Sequence, residues 1–186
     1  MDIEKERIIN AIYSSGCLKF GEFTLSSGRK SNVYIDLRLL YSFPRNFKII
    51  VNSLVKLMNK REVDYICGIP TGGLPLASVV AYLLDKPFIY VRKKEKGHGR
   101  MRRIEGNMGR CGKVLIVDDV ATTGGSIRDA ATALRENDCD VREAIVVVDR
   151  VEGARENLLK IGLNLISLVT LSDILEWCRM YGKSEE

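Results

Sequence analysis

An apolar run breaks off at two adjacent acids in the stretch Val114-Leu-Ile-Val-Asp-Asp-Val-Ala-Thr-Thr-Gly-Gly-Ser126. Small hydroxyl and glycine residues follow. Helix-like spacing then begins at Ile127, Ala130, Ala131 and Leu134. Carboxylates at Asp118 and Asp119 can accept hydrogen bonds from sugar hydroxyls. A glycine-rich turn that opens a helix offers backbone N–H groups and the positive end of the helix dipole to a phosphate. The combination suits a phosphorylated sugar; an ordinary strand–helix turn with exposed acids is the alternative. The turn lacks Gly-x-Gly-x-x-Gly, and no Lys follows Gly124-Gly125, so it is neither a dinucleotide fingerprint nor a Walker A loop.

Four further segments carry chemistry-bearing residues. From Arg92 to Arg103 the chain reads Arg-Lys-Lys-Glu-Lys-Gly-His-Gly-Arg-Met-Arg-Arg. A local field of that sign implies an anionic partner, and glycines beside His98 allow movement. Ile69-Pro-Thr-Gly-Gly-Leu-Pro75 puts two glycines at a helix start. Phe20 to Asp36 reads as a hairpin around the turn Ser26-Ser-Gly-Arg-Lys-Ser31. Asp149-Arg150 follows an apolar strand pattern, where a structural ion pair is the simpler reading.

The elements that must hold these residues alternate. Helices are expected over 2–14, from Pro44 through Met58, after Gly72-Gly-Leu-Pro75 through about Leu84, over 125–136 and 153–160, and over 172–181 with Ser172 as its cap. Strands are expected over 19–25, 32–38, 65–69, 87–91, 113–118, 141–148 and 163–169, with 92–112 a long connection. Apolar strands alternating with helices imply a mostly parallel sheet flanked by helices, with ligands beyond its carboxyl edge. The segments at 70–73, 92–103 and 118–126 each follow a strand, so they should converge there.

The length of 186 residues suits one domain, 1–186, with about 1–40 as an N-terminal appendage. No apolar run approaches the roughly 20 residues of a membrane span, and the start is polar, so a cytoplasmic protein without a membrane partner is expected. Five dispersed cysteines read as reduced packing thiols, and a single histidine argues against a Ser-His-Asp triad or a multi-histidine metal site. Trp177 reads as core.

The segment 114–126 resembles the phosphoribosyl pyrophosphate (PRPP) signature of type I phosphoribosyltransferases. The resemblance spans about residues 16–153, and within that fold it is to the orotate phosphoribosyltransferases. It implies that Asp118 and Asp119 hold the ribose hydroxyls. Val120, Ala121, Thr122, Thr123, Gly124, Gly125 and Ser126 would wrap the 5′-phosphate, and Thr71, Gly72 and Gly73 would face the pyrophosphate. The basic segment is similar to that family's mobile catalytic loop. Arg92, Lys93, Lys96 and His98 would then contact the pyrophosphate, reaching into the partner of a homodimer. Residues 20–36 resemble the hood of the orotate enzymes, with Tyr34 and Ile35 at positions often aromatic and Tyr34 able to pack on a pyrimidine. Arg150 would meet the orotate carboxylate and Thr122 the base. Some relatives carry Lys where Ser26 and Gly72 stand here, and Arg100, Arg102 and Arg103 replace a more acidic, glycine-rich stretch.

The expectation is therefore transfer of the phosphoribosyl group from PRPP to orotate. Mg2+ would bridge PRPP oxygens, with no direct protein ligand assigned. Nucleic acid is not an expected partner. A purine-base phosphoribosyltransferase and a PRPP-sensing regulator of the same fold are the alternatives.

Overall fold

The computed structural model describes residues 2–24, 28, 30–92, 103–109 and 112–183. Helix α1 (Ile3–Ser14) starts where the Asp2 carboxylate accepts the Glu4 N–H, and it buries Ile8, Ile9 and Ile12 along one stripe. Gly16, at φ +68°, ends it as expected. Strands β1 (Leu18–Thr24) and β2 (Lys30–Ile35) form a separate antiparallel ribbon.

The expected strand over 32–38 stops at Ile35. The Asp36 side chain takes the Arg38 N–H and starts a 3-10 helix, Leu37–Ser42. A short acid that bonds the backbone two residues on competes with strand pairing. Helix α2 (Pro44–Met58) follows with proline in its first turn.

The main sheet comprises β3 (Tyr65–Gly68), β4 (Phe88–Val91), β5 (Ile104–Glu105), β6 (Lys113–Ala121), β7 (Asp140–Asp149) and β8 (Asn164–Thr170). Helices α3 (Gly73–Leu83), α4 (Gly125–Arg135), α5 (Ala154–Leu159) and α6 (Leu171–Met180) connect and flank it. Its order is β5-β4-β3-β6-β7-β8, parallel throughout except for β5 against β4. This is the expected type I phosphoribosyltransferase arrangement. Strand β5 lies inside the expected long connection, because two residues leave no periodicity to read. Helix α6 opens at Thr170 rather than Ser172. Thr170 Oγ1 accepts the Asp173 N–H while Asp173 Oδ2 accepts the Thr170 N–H, a reciprocal capping box.

The sheet is apolar on both faces. Leu115, Val117, Ile145 and Val147 join one core with α1, α2, α3 and α6. The alternate residues Val114, Ile116, Ala144 and Val146 join a second with α4 and α5. Trp177 sits in the first core against Tyr13, as expected. Cys17, Cys67 and Cys178 are buried free thiols. Cys139 is disulfide-bonded, which corrects the expectation of reduced thiols there; pairing between distant cysteines leaves no mark in their spacing.

From β3 the chain proceeds to β4 on one side, and from β6 to β7 and β8 on the other. The direction of winding therefore reverses between β3 and β6. In an open parallel sheet that reversal leaves a crevice beyond the strand ends.

Candidate active site

Strand β6 buries Val114 to Val117 and then carries its two acids out over the crevice. Asp118 is buried, with Oδ1 accepting the Asp119 N–H at 2.9 Å. Asp119 is half-buried, with Oδ1 accepting the Val120 N–H at 2.9 Å. The acids therefore differ in access, and Asp119 is the one presented to a ligand. The loop after β3 passes directly over both. A β-carbon on Gly73 would lie 2.8 Å from the Val117 carbonyl and 2.9 Å from Asp118 Oδ1. Only glycines allow that approach.

After Ala121 the chain turns through Thr122, Thr123 and Gly124 into α4. Gly124 has φ +80°, and a β-carbon there would meet Leu158 at 3.0 Å. Among the described residues, the N–H groups from Thr122 to Ile127 have no acceptor outside the helix and no side-chain cap. A row of unspent amides at the start of an 11-residue helix forms an anion cradle. Asn157 Nδ2 steadies the turn by donating to the Thr123 carbonyl at 3.1 Å.

A second set of donors lies across the crevice. The Gly73 N–H bonds Ile69 O at 3.0 Å and the Leu74 N–H bonds Thr71 O at 3.4 Å, whereas the Thr71 and Gly72 N–H groups have no protein acceptor among the described residues. The loop thus brings two free donors alongside Asp119, against which Gly72 packs. The basic segment roots nearby. Arg92 N–H donates to Arg103 O at 2.7 Å, and Arg92 Nη1 meets Glu105 Oε1 at 3.1 Å. Pro70, Arg92, Arg103, Ser126 and Asp129 line one cavity of about 450 Å3. Two of the expected loops and the described ends of the third do converge. Lys93, Lys96, His98, Arg100 and Arg102 lie outside the described residues, as does Ser26.

Arg150 is 4% exposed at the end of β7. Its Nε donates to Glu152 Oε1 at 2.6 Å, Nη1 to Val33 O at 3.2 Å and Nη2 to Ser31 Oγ at 3.0 Å. It joins the β1/β2 ribbon to the main sheet. The simpler reading of Asp149-Arg150 as an ion pair does not hold. Asp149 accepts the Val151 N–H and lies 3.6 Å from Arg155, while Arg150 pairs with Glu152. Val151, a β-branched residue at φ +58°, makes the sharp turn that sends these neighbours apart. Tyr34 is half-buried with its ring against Phe23, whereas Ile35 is buried in the core and unavailable to a base. Among the described residues, Arg103 Nε and Glu152 Oε2 are buried without partners. Both flank this site, where a buried polar atom awaiting a ligand has a physical reason to exist.

The 3-10 helix adds residues the sequence does not flag. Tyr41 donates its hydroxyl to the Gly72 carbonyl. Arg38 holds Asp36 in a two-pronged contact at 2.6 and 2.8 Å. That guanidinium keeps the Asp36 carboxyl below the usual range. Burial, then the charges of Asp119 and Asp118, push the Tyr41 hydroxyl well above its ordinary value, so it stays a donor at neutral pH. The sequence signal for Arg38 is the acid two residues before it. Tyr41 has none, because its partner is a main-chain carbonyl 31 residues away. Among the described residues no helix is long and apolar enough to cross a membrane.

Known proteins share this arrangement. The family model described as a phosphoribosyl transferase domain matches residues 41–166. An orotate phosphoribosyltransferase from Pyrococcus abyssi is 42% identical over 174 residues, spanning 92% of this chain and 96% of that protein. The crystal structure of orotate phosphoribosyltransferase from Aeropyrum pernix is 40% identical and superposes with a TM-score of 0.87, covering 93% of this chain and 98% of that one. The Leishmania donovani UMP synthase structure also reaches 0.87, at 32% identity over 96% of this chain but 39% of that larger one. By sequence over nearly its whole length and by fold, the chain belongs to the phosphoribosyltransferase family, among the orotate phosphoribosyltransferases.

Proposed function

We propose that this protein transfers the phosphoribosyl group of PRPP to orotate, giving orotidine 5′-monophosphate and pyrophosphate in cytoplasmic pyrimidine synthesis. The observation that carries the reading is the acid pair at 118–119 set between two groups of unspent amides. One group suits the 5′-phosphate and the other the pyrophosphate, with the ribose hydroxyls over Asp119. The ring nitrogen of orotate bonds to the anomeric carbon and gives up its proton to solvent, as the bond to pyrophosphate breaks and its electron pair leaves on oxygen. No protein nucleophile is required. The protein positions the two reactants and neutralises the leaving charge.

Arg150 is the group for the orotate carboxylate. A guanidinium has five N–H donors, and the three contacts to Glu152, Val33 and Ser31 leave two. Those two can take a carboxylate in parallel. Thr122, where β6 gives way to the cradle, is within the chain's reach of the base. Arg92, Lys93, Lys96 and His98 are assigned to the pyrophosphate, from the partner chain of a homodimer.

Among the described residues no group of three or more His, Cys, Asp or Glu side chains is placed to hold a metal. Mg2+ would accompany PRPP, with the acids at 118 and 119 helping indirectly. When bound there it offsets the charge gathered on pyrophosphate. The deciding experiment is an orotate-consumption assay with PRPP and Mg2+, using adenine, hypoxanthine and guanine as controls. Turnover of orotate alone is expected. Turnover of a purine without orotate, or PRPP binding without any turnover, overturns the proposal.

A further inference from the structure

Both ends of the Gly72–Gly73 peptide are tied down. Its N–H is spent on the Ile69 carbonyl at 3.0 Å, and its carbonyl accepts the Tyr41 hydroxyl. Two consecutive glycines would otherwise leave this stretch of backbone freer than any other in the crevice. The Tyr41 ring is in turn fixed from behind. It packs edge-on against Phe47, with centroids 5.5 Å apart and planes at 80°, and Phe47 sits in the first turns of α2.

We propose that Tyr41 is a positioning residue for the departing pyrophosphate: its grip on the Gly72 carbonyl keeps the free Thr71 and Gly72 amides aimed into the crevice. The inference rests on the phosphoribosyl-transfer reading above. Gly72 is held from two sides, by Tyr41 through its carbonyl and by Asp119 against its α-carbon. Without the hydroxyl, the carbonyl has no donor on that side and the peptide can rotate. Rotation would turn the neighbouring amide away from a phosphate oxygen. Tyr41 touches no substrate, so its effect is felt through the loop.

The test compares the parent enzyme with Tyr41→Phe and with Phe47→Leu. Tyr41→Phe keeps the ring and its packing but removes the donor. Phe47→Leu disturbs the packing and keeps the donor. Calorimetric titration with pyrophosphate and Mg2+, kinetics for PRPP and orotate, and thermal melts are measured on all three. Tyr41→Phe should melt near the parent and bind pyrophosphate about five- to tenfold more weakly, the size of one lost hydrogen bond. Its KM for PRPP should rise in parallel while its KM for orotate stays unchanged. Phe47→Leu should melt lower yet hold pyrophosphate within about twofold of the parent, a shift too small for a lost hydrogen bond. Unchanged pyrophosphate affinity in Tyr41→Phe overturns the inference. Equal weakening in both variants overturns it too, by assigning the effect to ring packing. A parent that binds pyrophosphate but never consumes orotate sinks the functional reading instead.

Discussion

Gly72 lies so close to Asp119 that a β-carbon on residue 72 would sit 1.9 Å from Asp119 Oδ2. The pyrophosphate loop and the ribose-binding acid are therefore in van der Waals contact, and neither can be changed alone. Gly72→Ala should push the Asp119 carboxylate off its position. We expect KM for PRPP to rise on the order of tenfold or more, the value of a charge-assisted hydrogen bond. KM for orotate should move much less. Initial rates over a PRPP series check this, and an unaltered KM would mean that Asp119 does not need its present orientation. A side chain at 72 has no room unless Asp119 gives way.

Arg150 is buried with Glu152 as its charged partner. Arg150→Ala leaves a carboxylate without its cation and should cost about 3–5 kcal/mol of stability. Adding Glu152→Ala should restore part of that loss. Arg150→Lys keeps the charge and loses the fork, so it should raise KM for orotate about tenfold or more with a smaller stability change. Urea melts and orotate kinetics on the three variants separate the two roles. A single variant with normal orotate affinity would remove Arg150 from base recognition.

If the basic loop serves a partner chain, two inactive variants can rescue each other. Lys96→Ala lacks the loop cation, and Asp119→Asn lacks the ribose acceptor. Heterodimers of the two contain one site with both groups intact. Recovery of about a quarter to a half of parental activity is expected from one working site per dimer, in line with association completing the site. Verified heterodimers that stay inactive would place the loop in its own chain's site.

The Asp36–Arg38 pair gives a pH signature. Arg38 holds the Asp36 carboxyl below its unfolded value of about 3.9. A depressed carboxyl pKa contributes stability that is present above the unfolded value and lost as pH falls through the folded one. The Arg38 side chain is more than half exposed, so the gain is under about 1 kcal/mol. Arg38→Gln should therefore be slightly less stable than the parent at pH 7. The two should converge as pH falls below the unfolded value of about 3.9 and the parent's carboxyl is protonated as well. Denaturant melts at pH 7, 5 and 3 follow this, and a gap that stays constant with pH would rule out the pair as its source.

Much of this site could be read before folding. The apolar run to Val117 forced a buried strand, and the acids after it could only emerge at the strand's end. Alternation of strands and helices then put 70–73, the ends of the basic segment at Arg92 and Arg103, and 118–126 on one edge, where the structure has them. Local competition blurred the borders. Asp36 broke a strand by bonding Arg38, and Thr170 displaced Ser172 as a cap because Asp173 answers it three residues on. Contacts spanning long stretches of chain were invisible. Tyr41 meets a carbonyl, and Arg150 bonds Val33 and Ser31 across 117 and 119 residues. A main-chain acceptor puts no demand on residue type, so no pattern marks it.

The hydrogen bond from Arg92 to Arg103 has an engineering consequence. With β5 paired to β4 just beyond it, the chain leaves and re-enters the sheet at one stitched point. Residues between the two arginines form a cassette, and splicing in a longer or shorter one changes closure entropy only slowly with length. Length and charge can be retuned there while the sheet keeps its register.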